Sequence, residues 1–306
     1  MSLVTSKFLL ERAYKDHFAI GAFNANNMEQ VQAVIEAAEE ERAPVILQVS
    51  QGAIRYCGLA FAAGLVKIGA AEATVPVVLH LDHGTDFEQN VRCLQAGFTS
   101  LMFDGSKLPF DQNVAVTRRI VEIAHPCGIP VEAELGKVLQ SKDGVTQADV
   151  EAAMTDPLEA KRFFELTGCD ALAVAVGSVH AMRAKAAALD VDRVEAIRRQ
   201  IPIPLVLHGS SGVTEASIVA AIQHGVAKVN VATYLNEGFM DGLRAGLAKY
   251  PDDVDPRKAL QMGRDAVKER VREQIRLFGS HGRVDSAGGF VSAPTQHRSG
   301  DLGAVE

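Results

Sequence analysis

The sequence has no CxxC pair, no run of lysine or arginine, and no apolar segment near the roughly twenty residues that cross a bilayer. Each absence removes a class of function. The four cysteines, Cys57, Cys93, Cys127 and Cys169, are scattered, which argues against a disulfide framework and for reduced thiols in the cytoplasm. The N-terminus shows no basic stretch leading into an apolar run, so no secretory leader is expected. With a formal charge of −7 and no concentrated positive patch, neither nucleic acid nor an anionic membrane is an expected partner. Recognition of any phosphate must then be local. An excess of polar sequence is also missing: 47% hydrophobic and 23% charged residues fit a soluble globular enzyme rather than a disordered chain.

What the chain has is a repeated alternation. Short β-rich apolar runs recur at 18–24, 44–50, 76–82, 99–104, 130–135, 170–177, 203–208 and 227–232. Between them, the segments 28–42, 58–71, 87–96, 111–124, 157–167, 191–199 and 215–224 carry helical spacing. Strands that read as continuous apolar runs are buried on both faces, as in a parallel sheet covered by helices. Eight such units in 306 residues predict an α/β fold, a (β/α)8 barrel of the TIM type. Periodicity cannot show closure, and a doubly wound open sheet is the alternative. Helical segments at 235–249 and 255–278 predict a C-terminal helical extension, so that residues 1–282 form one barrel domain. Residues 283–306, rich in Gly, Ser and Pro, read as a tail or an arm laid on a neighbour.

Barrel enzymes place their working groups where strands meet the following helices. The unusual polar residues fall there: His80, Asp82 and His83 in HLDHG, Asp104 and Ser106 in MFDGS, Glu132 and Glu134 in VEAELG, and His180 in GSVH. Strand seven adds His208, Gly209, Ser211 and Gly212 in LHGSSG, and strand eight adds Asn230 and Thr233 in KVNVAT. A lone strand histidine is usually a satisfied core residue. Three from converging strand ends, His83, His180 and His208, can instead surround one ion and leave a position open for substrate oxygen. His80 lies on the same strand face as Asp82 and is a weaker ligand candidate, while His17, His125, His224, His281 and His297 default to structural or surface roles. HGSSG and NVAT place backbone N–H groups and small hydroxyls where barrels commonly hold a phosphate.

HLDHG, MFDGSxLPF, VEAELG, TDPxEA, TGxDALAVAxG, HGxSG and KVNxAT, in this order from about Leu10 to Arg283, resemble the class II, metal-dependent ketose-bisphosphate aldolases acting on fructose or tagatose bisphosphate. The resemblance implies zinc, or another divalent ion in its place, on His83, His180 and His208, with Asp104 and Glu134 at an alternative metal position. A monovalent cation is a further candidate cofactor. By the same implication Asp82 acts on the hydroxyl at the breaking bond, Gly209, Ser211, Asn230 and Thr233 hold a phosphate and the ketone-derived half, and Asn24 lines the site. The family precedent is a homodimer or homotetramer.

Two departures bear on the substrate. The family's Gly-Gly hinge and acidic residue are replaced by a segment with Leu139, Gln140 and Lys142, so that either the adjacent Asp143 is the proton carrier or the proton step is changed. After His180, Ala181 stands for the usual Gly and the customary Tyr-Lys is absent, leaving Arg183 or Lys185 to meet an anion. A different sugar, such as a ketose 1-phosphate, would suit these changes. Strand six carries no lysine and Lys228 falls at the wrong end of strand eight, which disfavours an imine mechanism. The expected reaction is reversible cleavage of a phosphorylated ketose to dihydroxyacetone phosphate and an aldehyde. The alternatives are a phosphosugar-binding paralogue without turnover and a metal-dependent barrel hydrolase; strand one ends in AFNANN rather than an HxH pair, which speaks against the hydrolase.

Overall fold

The structure, a computed structural model, describes residues 3–140, 146–180, 187–285 and 288–291, with the backbone alone at Gln140, Gln147 and His180. Its strands are β1 (Ile20–Asn24), β2 (Val45–Ser50), β3 (Val77–Asp82), β4 (Leu101–Phe103), β5 (Val131–Leu135), β6 (Leu139–Gln140), β7 (Ala171–Val174), β8 (Val179–His180), β9 (Leu205–Leu207) and β10 (Val226–Val231). Eight of them run parallel in the order β3-β2-β1-β10-β9-β7-β5-β4, and β6 and β8 form a separate parallel pair. The two outer strands meet: His80 bridges Ser100, Gly84 bridges Phe103, and Asp104 N–H donates to the Gly84 carbonyl at 2.8 Å. These contacts close the sheet, and the open doubly wound alternative is set aside. Closure depends on glycine at position 84, because a Cβ there would stand 2.4 Å from the Met102 carbonyl oxygen.

Helices connect the strands, and local chemistry sets their ends. The helix Pro157–Thr167 starts where Asp156 accepts from the N–H groups of Leu158 and Glu159, has proline at its first position, and stops at Gly168 in the left-handed region. The extension runs through helices Thr233–Lys249 and Arg257–Leu277, the second tied to helix Met28–Glu40 and its end by the pairs Arg264–Glu36 and Arg272–Glu41. Beyond it, Phe290 stacks on Phe18 of the same chain with centroids 6.0 Å apart. Among the described residues no single helix is long and apolar enough to cross a membrane.

Strand parity divides the interior. Outward residues such as Phe23, Leu47, Leu79 and Leu207 pack beneath the helices, while inward residues Ile20, Ala22, Ile46, Val78, Ala171 and Val206 fill the lower barrel. That inner cluster is capped by Leu9, Leu10 and Ala13 of a helix absent from the sequence reading, Ser6–Lys15. Ten residues are marginal as an isolated helix, so the plug owes its fold to this burial. Above the apolar layer the inward positions turn polar: Gln48, His80, Glu132, His208 and Lys228 are all buried.

Replacing Leu10 with alanine is expected to lower unfolding free energy by about 2–5 kcal/mol, read by chemical denaturation. A change within the roughly 0.5 kcal/mol of ordinary surface substitutions would contradict the plug packing.

Candidate metal centre and active site

Asp82 ends β3 with its side chain turned into the barrel mouth and only 4% of its surface exposed. Asn24, at the end of β1, donates to its Oδ2 at 2.7 Å, and Asn230 of β10 donates to its Oδ1 at 3.3 Å. Gln48 of β2 donates at 2.6 Å to the Asn24 amide oxygen, fixing which way that amide turns. Burial pushes the Asp82 carboxyl up, but the charges of His83 and His208 and the Asn24 hydrogen bond outweigh it, and it titrates below the ordinary range.

His83 follows in the left-handed region, with φ of 49°. A non-glycine residue there is strained, and the turn that carries it also redirects the chain from β3 toward the β4 seam. Its Nδ1 lies 2.9 Å from Asp104 Oδ2 and 3.7 Å from Glu134 Oε2, and its Nε2 lies 3.9 Å from Asp82 Oδ1. Asp104 in turn accepts from Ser106 N–H at 3.1 Å and Ser106 Oγ–H at 2.6 Å. His208, fully buried just past β9, sets its ring 4.7 Å from that of His83 and its Nδ1 3.3 Å from Glu134 Oε2. His83, Glu134 and His208 therefore each present a ligand atom within 4.8 Å of the other two. Two imidazoles and a carboxylate suit a borderline divalent cation such as zinc, and the residues fit that group.

Carboxylates face both imidazoles. Burial would lower the His83 pKa, but Asp82, Asp104 and Glu134 raise it to about 10; burial likewise opposes His208, whose hydrogen bonds to Glu132 and Glu134 carry it above the ordinary value. Burial would raise Asp104, yet its bond to His83 holds it well below the usual carboxylate range.

Gly209 and Ser211 follow β9, and Asn230 and Thr233 lie at the end of its neighbour β10. Gly209, in the left-handed region, introduces a single 3-10 turn, Ser210–Gly212, whose Ser210 hydroxyl donates to the Asn230 carbonyl at 2.6 Å, and Thr233 opens the helix Thr233–Lys249. Of Gly209, Ser211, Asn230 and Thr233, Ser211 alone lines a small neighbouring cavity, whose walls also include Tyr234, Gln274 and the apolar Val213, Ile218, Val231 and Leu277. Asp143, Lys142, Arg183, Lys185 and the His180 side chain lie outside the described residues; the His180 backbone pairs in β8 with Gln140 of β6.

Four groups escaped the sequence reading as site members. Gln48 orients Asn24, and Glu132, His80 and Lys228 form a buried polar cluster directly beneath the mouth. Their signal was inward parity: Glu132 stands two residues before Glu134, and His80 two before Asp82. Lys228 is held 2.7 Å from Glu132 and is 1% exposed, which agrees with its exclusion as an imine-forming amine.

The family profile described as "Fructose-bisphosphate aldolase class-II" matches residues 4–283. The chain belongs to the class II fructose-bisphosphate aldolase family. Its relatives include the fructose-bisphosphate aldolase of Thermus caldophilus, 43% identical over 305 residues covering 92% of this chain and all of that protein. The fructose-bisphosphate aldolase of Geobacillus stearothermophilus is 45% identical over 93% of this chain and 99% of its own length. Among solved structures, the YdjI aldolase of Escherichia coli K12 superposes with a TM-score of 0.82 at 36% identity, over 92% of this chain and all of that one. This class II aldolase is a carbon–carbon lyase that performs metal-dependent aldol cleavage of a phosphorylated ketose, and neither the hydrolase nor the binding-paralogue reading is favoured.

Because an imidazole binds a cation through a deprotonated nitrogen and the neighbouring carboxylates raise the His83 pKa to about 10, divalent-metal affinity of the stripped protein should rise with pH through neutrality, by about tenfold per pH unit for the proton displaced from His83. Calorimetry in buffers of different ionisation enthalpy measures the release; binding with no proton release and no pH dependence would contradict the raised His83 pKa.

Proposed function

We propose that this aldolase reversibly cleaves a ketose bisphosphate of the fructose or tagatose type, or a ketose 1-phosphate, to dihydroxyacetone phosphate and an aldehyde. In this reading zinc is held by His83, His180 and His208, with Asp104 and Glu134 at an alternative position, and when bound it polarises the substrate ketone as a Lewis acid. The observation that carries the reading is Asp82: an ionised, buried carboxylate 3.9 Å from His83 and clamped by two amides on the floor of a metal-competent mouth.

Asp82 takes the proton from the substrate hydroxyl beside the breaking carbon–carbon bond and returns it in the condensation direction. Its clamps matter because both oxygens accept from amides, so the carboxylate cannot rotate without losing a buried hydrogen bond. Gly209, Ser211, Asn230 and Thr233 hold the phosphate of the ketone-derived half; support comes from the left-handed Gly209 turn and the open N-terminus of the seventeen-residue helix at Thr233. Asp143, in the segment that departs from the family pattern, moves the proton on the ketone-derived carbon. That departure and the one after His180 are why a monophosphate stands beside the bisphosphates. We also infer a cytoplasmic homodimer or homotetramer, supported by four free thiols and by the exposed apolar side chains Tyr56, Phe61 and Ile68 on two consecutive helices.

Asp82→Asn is expected to lower kcat about 10²- to 10⁴-fold while zinc content is unchanged. The assay is enzyme-coupled release of dihydroxyacetone phosphate from a panel of ketose mono- and bisphosphates, with and without chelator. Release that survives zinc removal, or an Asp82→Asn variant as fast as the parent, would overturn the reading.

A further inference from the structure

Lys228 is among the largest fully buried side chains of the described residues, and it carries a charge. Its ammonium donates to Glu132 Oε2 at 2.7 Å and lies 3.2 Å from His80 Nε2, and the other Glu132 oxygen, Oε1, lies 3.0 Å from His208 Nε2. Donor and acceptor types fix the directions. An ammonium only donates, so His80 Nε2 accepts and His80 Nδ1 carries the hydrogen that reaches Ser100 Oγ at 2.8 Å. An ionised carboxylate only accepts, so His208 Nε2 carries a hydrogen, and the other ring nitrogen, Nδ1, is the atom turned toward Glu134 and His83.

A buried Lys–Glu pair is no more stabilising, as a rule, than well-packed apolar residues of the same volume, so filling the barrel does not call for one. The register leaves Glu132 between Met102 of β4 and Ala171 of β7, neither of which offers its carboxylate a hydrogen bond. Its orientation is therefore set by Lys228, and Lys228 is set by His80, which Ser100 connects to Ser6 of the plug helix at 2.8 Å. The line of contacts runs from the closed end of the barrel to one imidazole of the mouth.

We propose that Lys228 and Glu132 form a positioning pair that fixes the ring orientation and tautomer of His208: Glu132 supplies the acceptor for Nε2–H, and Lys228 neutralises that buried carboxylate, neither of them touching the ion or the sugar. The inference rests on the reading of His208 as a metal ligand. Partners that hold a ligating imidazole typically change metal affinity by roughly 10- to 100-fold when lost.

Two charge-neutral double variants separate positioning from mere structural support. Lys228→Met with Glu132→Gln keeps an acceptor for His208 Nε2–H; Lys228→Met with Glu132→Met removes it at similar volume. Cobalt and zinc affinities of the full-length, chelator-stripped proteins are measured by competition with a chromogenic chelator, together with the cobalt visible absorption band and the thermal unfolding midpoint. We expect the first variant to bind within a few-fold of the parent and the second to bind roughly 10- to 100-fold more weakly with a shifted cobalt band. Equal affinities and bands in the two variants overturn the pair, provided His208→Ala weakens binding; a His208→Ala protein that binds like the parent overturns the ligand reading and the pair with it. Should the second variant not fold, ¹⁵N-resolved spectra of the zinc-loaded parent decide: a hydrogen on His208 Nε2 supports the pair, and one on Nδ1 overturns it.

Discussion

Four carboxylates, Asp82, Asp104, Glu132 and Glu134, converge at one end of a closed barrel, and their neutralisation is the constraint on which the rest of the site depends. Burial penalises Asp82, Asp104 and Glu132 as anions, so each of these three is met by something fixed: amides on Asp82, a serine turn on Asp104, and lysine and imidazole on Glu132. The cations that complete this balance are the imidazoles that also suit a metal ion.

The barrel provides that arrangement through parity and closure. Inward positions two residues apart stack the polar cluster of Glu132, His80 and Lys228 beneath the working layer of Asp82, Glu134 and Asn230. The apolar filling below, capped by the N-terminal helix, keeps water from the lower end and leaves the polar layers open only toward the mouth. The lower cluster of Glu132, His80 and Lys228 is neutralised within the protein itself.

Most of this was legible in the sequence for definite reasons. Strands buried on both faces write continuous apolar runs, and all eight appear where those runs lie. Asp82, His83, Asp104, Glu134 and His208 were legible because polar residues gathered at several converging strand ends outweigh the ordinary core reading that holds for any one of them alone, and they meet in space. The buried pair was not legible, since Glu132 and Lys228 are 96 residues apart and each reads alone as a polar interruption of a strand. The helix Ser6–Lys15 and the two-residue strands β6 and β8 were missed for a different reason: their stability comes from contacts across the fold rather than from local periodicity.

Anomalous diffraction at the zinc absorption edge, from crystals of the chain grown after metal removal and soaked in zinc, tests the central claim most directly. The account predicts one strong peak per chain in the barrel mouth, within bonding distance of His208 and His83 or Glu134. A peak confined to surface residues, or an empty mouth in a fully folded protein, would contradict it.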